Sequence, residues 1–200
     1  ILGLSNPGVR QVGLCVMEDW WKHDRAGMRR WLQQTPCFFE ELYLEEFLKA
    51  IQPREKDLAS LAMLFLSLDR SDARRVRFFS QVVEDWLEAD FDSAFAFVCA
   101  VSEAADGRAD PALDRAALTL SYRFANKKNY VEALQWASRV KNVRLRELGV
   151  RDHVLSVSQE TEKAVFLSWL NAHPFESAEL RQEIDKRLSA IPATAARETH

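Results

Sequence analysis

Leu120–Val140, LSYRFANKKNYVEALQWASRV, reads as the end of one helix, a tight polar turn and the start of a second helix folded back on the first. Asn129 followed three residues later by Glu132 has the spacing of a capping box. In that motif each side chain accepts a backbone N–H that the start of a helix leaves unpaired, so the spacing predicts a helix opening at Tyr130. Ala133 and Trp136 fall three and six residues into it, a small residue where two helices can approach closely and a large one to fill the adjoining space. The unit recurs. Asp24, Asp90 and Asn129 each precede an aromatic by seven residues (Trp31, Phe97, Trp136), with Met28, Ala94 and Ala133 at plus four. Trp20 and Trp86 stand four before the cap, where the third copy has Ala125 with Phe124 beside it.

Working outward, Gly and Pro are scarce, six each, and long β-branched runs are absent, so helices account for the whole pattern. Asn6-Pro7 opens a first helix running through Val12, Val16 and Trp20, and a shorter one after Asp24 carries Met28, Trp31 and Leu32. Thr35-Pro36 opens a third, with Phe39, Leu42, Tyr43, Phe47 and Ile51 on one face, and Gln52-Pro53 a fourth, with Leu58, Leu61, Ala62, Phe65 and Leu68. Ser71 or Asp72 caps the next, where Val76, Phe79, Val83, Trp86 and Leu87 repeat at three and four. Asp90 caps its partner, with Ala94, Phe97, Val98 and Val101 inward. Asp110-Pro111 is the strongest helix start in the chain, and Leu113, Ala117, Leu120 and Phe124 lead from it into the opening turn. A helix is expected over Val143–Leu155, with Gly149 costing about 1 kcal/mol relative to Ala in its middle. Ser158 or Thr161 caps the segment holding Val165, Phe166, Trp169 and Leu170, and His173-Pro174 starts the last helix, with Leu180, Ile184 and Leu188. Residues 191–200 carry no periodic apolar face and are expected to form a disordered tail.

Helix-opening signals near 7, 36, 71, 111, 143 and 174 are about 29 to 40 residues apart, within the range of helical-repeat arrays. Leu120, Ser121, Phe124, Asn129-Tyr130, Ala133 and Ala137 resemble the tetratricopeptide pattern, in which a helix with Leu-small-x-x-aromatic meets one opening on an aromatic and a packing Ala. The resemblance covers one repeat well, the hairpins at Trp20 and Trp86 loosely and the rest in spacing. The turn lacks the usual Gly and the repeat its closing Pro. The expectation is therefore an all-α, tetratricopeptide-like irregular α-solenoid: a right-handed stack of antiparallel helical hairpins, ten or eleven helices in one domain over residues 1–190. The resemblance implies a protein-interaction scaffold with no catalytic residues. In such stacks the first helix of each pair lines the concave face, which would place Tyr122 and Asn126 there as contacts.

Composition narrows the function classes. With 48% hydrophobic residues the chain can build a core, and a formal net charge of -3 announces no polyelectrolyte partner. No run approaches the ~20 apolar residues needed to span a bilayer. Cys15, Cys37 and Cys99 are too widely spaced for a metal knuckle or redox pair, read as buried thiols, and slightly favour a reducing, cytoplasmic compartment. The chain starts at Ile1 rather than at a methionine, as expected of a processed or trimmed piece, which is compatible with a removed signal.

Neither a glycine-rich phosphate loop nor a G-x-S-x-G elbow nor a Glu-x-x-His pair occurs, so no cofactor, metal or catalytic group is implied. His23 with Asp19 four residues back is the nearest approach to acid–base machinery, against the plainer reading of a histidine at a helix C-terminus followed by the capping Asp24. Trp20, Trp31, Trp86 and Trp136 recur at hairpin turns as wedges, whereas Trp21 lies on another face and is expected to be exposed. Arg139, Lys141, Arg144, Arg146 and Arg151 form one basic strip, answered by the acidic Glu40, Glu41, Glu45 and Glu46. The expected function is a non-catalytic protein- or peptide-binding scaffold, with Tyr122, Asn126, Arg139, Lys141, Arg144 and Arg146 as the candidate partner contacts. Two alternatives are a nucleic-acid-binding repeat using the strip 139–151 and a helical accessory domain of a larger enzyme.

Overall fold

The computed structural model describes residues 7–34, 46–48 and 57–191. Among them there are helices and no strands: α1 (Pro7–His23), α2 (Arg25–Gln34), α3 (Leu58–Leu66), α4 (Ala73–Ala89), α5 (Phe91–Ala104), α6 (Pro111–Asn126), α7 (Tyr130–Arg139), α8 (Val143–Leu155), α9 (Glu160–Ala172) and α10 (Ala178–Ser189). The molecule is all-α. Residues 46–48 are helical, with Phe47 and Leu48 buried; the remainder of the helix expected after Pro36, the restart at Pro53, and residues 192–200 of the expected tail lie outside the described residues. Contacts divide the chain into two compact units, 1–97 and 98–200, with the division inside α5.

In the first unit α1 packs on α2 and α3 on α4. Trp21 corrects the expectation of an exposed ring: it is buried, edge-on to Phe47 at 6.3 Å, and the Arg25 guanidinium covers its face at 4.5 Å. The face of α1 that carries Val12 and Val16 points outward instead, at 65% and 57% exposure. Trp20 and Trp31 meet across the α1–α2 turn at 5.5 Å, and Trp86 meets Phe97 at 5.3 Å across the α4–α5 turn, as wedges should. Asp24 caps α2 by accepting the Gly27 N–H at 2.7 Å. Asp72, rather than Ser71, caps α4. The same carboxylate holds the buried Arg74 at 2.7 Å, and Arg74 Nη2 donates to the Leu32 carbonyl at 3.0 Å, tying the start of α4 to the end of α2. A guanidinium taken out of water needs such a set of acceptors.

In the second unit each helix packs on its neighbour or next neighbour: α6 on α7 and α8, α7 on α8 and α9, and α8 on α10. One core runs from Ala133, Leu134 and Ala137 through Val150, Val154 and Phe166 to Ile184, Leu188 and Ile191. The α6–α7 turn refines the sequence reading. The Asn129 N–H donates to the Phe124 carbonyl and the Lys128 N–H to the Ala125 carbonyl, the paired bonds of a Schellman motif. Lys128 takes the left-handed position at φ 61 that Gly usually fills, which is why the turn manages without one. The Asn129 side chain accepts the Glu132 N–H at 3.3 Å as expected, but its own N–H goes to Phe124 and not to Glu132, so only half of the expected box forms. The carboxylate half occurs at α9, where Glu162 accepts the Ser158 and Gln159 N–H groups. Gln159 therefore caps α9 in place of Ser158 or Thr161. Ser177 caps α10, so the last helix starts at Ala178, four residues later than His173-Pro174 implied. Gly149 does not interrupt α8, which is continuous; a Cβ there would meet the Leu118 side chain of α6, so the glycine sits where the two helices approach closely.

Candidate partner-binding face

Three buried polar groups join the helices of the second unit. Asp114, near the start of α6, accepts the N–H groups of Lys141 at 2.7 Å and Asn142 at 2.9 Å, just before α8. Thirty-three residues on, Glu147 of α8 accepts those of Glu176 and Ser177, just before α10. Each carboxylate thus accepts the N–H groups of a helix's N-cap residue, Asn142 or Ser177, and of the residue before it, and meets the positive end of that helix's dipole.

The third group is a serine–histidine pair. Ser121 Oγ lies 2.6 Å from His153 Nε2 and 2.6 Å from the Ala133 carbonyl. A carbonyl only accepts, so the single hydroxyl proton goes to Ala133 and Nε2–H must donate to Oγ. That is the reverse of a nucleophile and its base, in which the imidazole takes the serine proton. Both side chains are also sealed from solvent, at 0% and 2% exposure. The pair is a joint between α6, α7 and α8.

Burial pushes His153 down to about 4, against the opposing pull of Asp152, so the fold holds a neutral imidazole. The folded state then binds fewer protons than the unfolded chain between its ordinary value of 6.5 and about 4. Stability is complete above that window and lost as pH falls through it, by on the order of 3 kcal/mol. Urea unfolding followed at pH 7.5 and pH 4.5 checks this, with His153→Gln expected to remove most of the difference.

On the exposed side of the joint, the Tyr122 hydroxyl donates to Asp152 at 2.7 Å, and Arg151 pairs with the other oxygen of the same carboxylate at 2.7 Å. Burial, then Asp152, pushes the Tyr122 phenol up to about 12. Burial also acts to raise Asp152, but the bonds from Tyr122 and Arg151 outweigh it and hold the carboxyl below its ordinary value. Tyr122 is therefore half-buried with its hydroxyl committed, while Asn126 is exposed at the end of α6.

The basic strip does not form one face. Arg139 and Lys141 line a pocket beside the α5–α6 loop. Arg146 turns back to donate to the Val140 carbonyl at 3.1 Å. Arg144 and Arg151 line a groove of about 510 Å³ between α8 and α10, over Leu148 and Leu180, with Glu179 and Glu183 on its other wall. The glutamates were not singled out by the sequence reading, because only the packing of α10 on α8 sets them opposite arginines. The acidic counterpart at Glu40, Glu41 and Glu45 lies outside the described residues. His23 sits exposed at the end of α1, its Nδ1 2.9 Å from the Asp19 carbonyl and 3.3 Å from its carboxylate, the arrangement of a helix-terminal histidine.

Among the described residues no three His, Cys, Asp or Glu side chains gather as metal ligands, and no helix is long and apolar enough to cross a membrane. No protein-family model matches the chain, and no curated protein or solved structure shows a significant match to it.

Proposed function

We propose that the chain is a non-catalytic scaffold that holds a protein or peptide partner on a stack of helical hairpins. In this reading α6–α7 and α8–α9 are successive repeats of a right-handed, tetratricopeptide-like stack, with α10 as the next first-helix and α6, α8 and α10 lining the concave face. The observation that carries it is the recurrence of one device near the starts of α6 and α8. Asp114 and Glu147 each hold the start of the following first-helix, thirty-three residues apart, close to the repeat of about 34 residues in tetratricopeptide arrays. The packing of α6 on α8 and of α8 on α10 follows the same order.

The groove between α8 and α10 suits an extended peptide bearing both charges, because Arg144 and Arg151 of α8 and Glu179 and Glu183 of α10 line it together with Leu148 and Leu180. A nucleic-acid backbone would meet Glu179 and Glu183 alongside Arg144 and Arg151. The test is photo-crosslinking from position 148 in the purified chain, repeated with Arg144→Glu and Glu183→Lys. The reading expects one partner whose crosslink weakens at least tenfold in both variants at unchanged melting temperature. A crosslink indifferent to both charge reversals would refute it, and one competed by RNA or DNA and lost steeply with salt would move the reading to nucleic acid.

A further inference from the structure

A second concavity in the 98–200 unit shares no residue with the α8–α10 groove and stands without the scaffold reading. It is an open depression of about 220 Å³, and three exposed cations from three different segments border it: Arg108 from the α5–α6 loop, Arg139 from the last turn of α7, and Lys141 from the α7–α8 link. Like charges lining one depression favour an anion there, the less so as salt screens them. Two carboxylates also line the pocket. Asp114 is committed to the backbone N–H groups of Lys141 and Asn142, and Glu103 is exposed on the rim.

Arg139 is positioned rather than loose. Its guanidinium lies over the Trp136 ring at 4.2 Å and beside the Cys99 thiol. Burial, more than the nearby Glu103, holds that thiol above its ordinary value against the opposing pull of Arg139. Leu113 and Ala117 of α6 supply an apolar wall.

We propose that this pocket binds a phosphomonoester with a small apolar body, its phosphoryl group between Arg108, Arg139 and Lys141 and its body against Leu113 and Ala117. The number of acceptors selects the ligand. A phosphomonoester offers three terminal oxygens to three cationic donors, whereas a carboxylate offers two, which a single guanidinium already satisfies. The volume, well below the range of about 300 Å³ and upward typical of drug-sized ligands, fits one small ring or a phosphorylated side chain.

The test is isothermal titration of the whole chain with phenyl phosphate, inorganic phosphate and benzoate at about 50 mM and about 300 mM NaCl. Phenyl phosphate is expected to bind at least tenfold more tightly than either other probe and to weaken with salt. Arg139→Gln and Lys141→Gln should each weaken it at least tenfold, and Lys186→Gln, an exposed cation on α10, should leave it unchanged. Lys141→Gln keeps the backbone bond to Asp114, so it reports on charge even if Arg139→Gln disturbs packing at Trp136. A phosphoserine peptide binding as tightly as phenyl phosphate would identify a phosphorylated side chain as the source of the group; a much weaker one would identify a free metabolite. Equal affinity for benzoate, loss in the Lys186 variant to the same degree, or no saturable binding of phenyl phosphate would overturn the proposal.

Discussion

Ala133→Trp is expected to unfold the 98–200 unit, lowering its melting temperature by more than about 10 °C or leaving no cooperative transition. Ala133 has no exposed surface, and its carbonyl takes the Ser121 hydroxyl, so α6 and α7 are in direct contact at this point. An indole there has no cavity to enter. It would part the two helices and break the Ser121–Ala133 bond, leaving the Ala133 carbonyl without the Ser121 hydroxyl. Overpacking alone typically costs about 1–3 kcal/mol, and a buried donor or acceptor stripped of its partner costs about 1–3 kcal/mol more. Val131→Trp, two residues away at a site 52% exposed, is the control and should leave the transition where it was. Thermal unfolding followed by circular dichroism reads both; an unchanged melting temperature for the Ala133 variant would show that the hairpin is not packed as described.

Glu147→Leu is expected to destabilise the same unit by about 3 kcal/mol and to fray α10 first. The carboxylate is 4% exposed and receives two backbone N–H groups at the start of that helix. Leucine fills similar space but accepts nothing, so both amides lose their partner and the helix dipole loses its counter-charge. Glu147→Gln keeps one acceptor oxygen and should fall between the two. Urea denaturation gives the magnitude, and hydrogen exchange at the amides of 176–180 gives the place. Protection there equal to that of the parent chain would show that water or another side chain serves these donors.

How far the fold was legible follows from the range of the interactions that set each element. The start of α6 at Asp110-Pro111 and the span of α8 were readable because a cap and an apolar period lie within the element itself. The outward turn of Val12 and Val16 and the burial of Trp21 were not, because two adjacent apolar stripes run along α1 and the choice between them rests with what packs against the helix, Phe47 among them. Gly149 shows the same limit in reverse. Its cost to a helix is local, while the clash a side chain would meet with Leu118 arises from a residue thirty-one positions earlier.

The candidate sites divide in the same way. The basic strip 139–151 was plain as a run of residue types, but its division between a pocket, a backbone bond and a groove depended on where α5 and α10 lie. Asp114, Ser121, Glu147 and His153 left one faint trace, polar residues within apolar helical stretches, and the thirty-three-residue interval between the two acids is visible only once their partners are known.

The sequence by itself determined that this chain is helical, where most of its described helices begin, and that Leu120–Val140 is a hairpin, because capping and 3.6-residue periodicity act over a few residues and need no partner. Only the tertiary structure decided which face of each helix is covered, that Ser121 and His153 form a closed joint rather than a reactive pair, and which arginines share a pocket. Those are contacts between residues tens of positions apart, and the free energy that selects among them comes from burial and from pairing of polar groups across helices, which no local window of sequence contains.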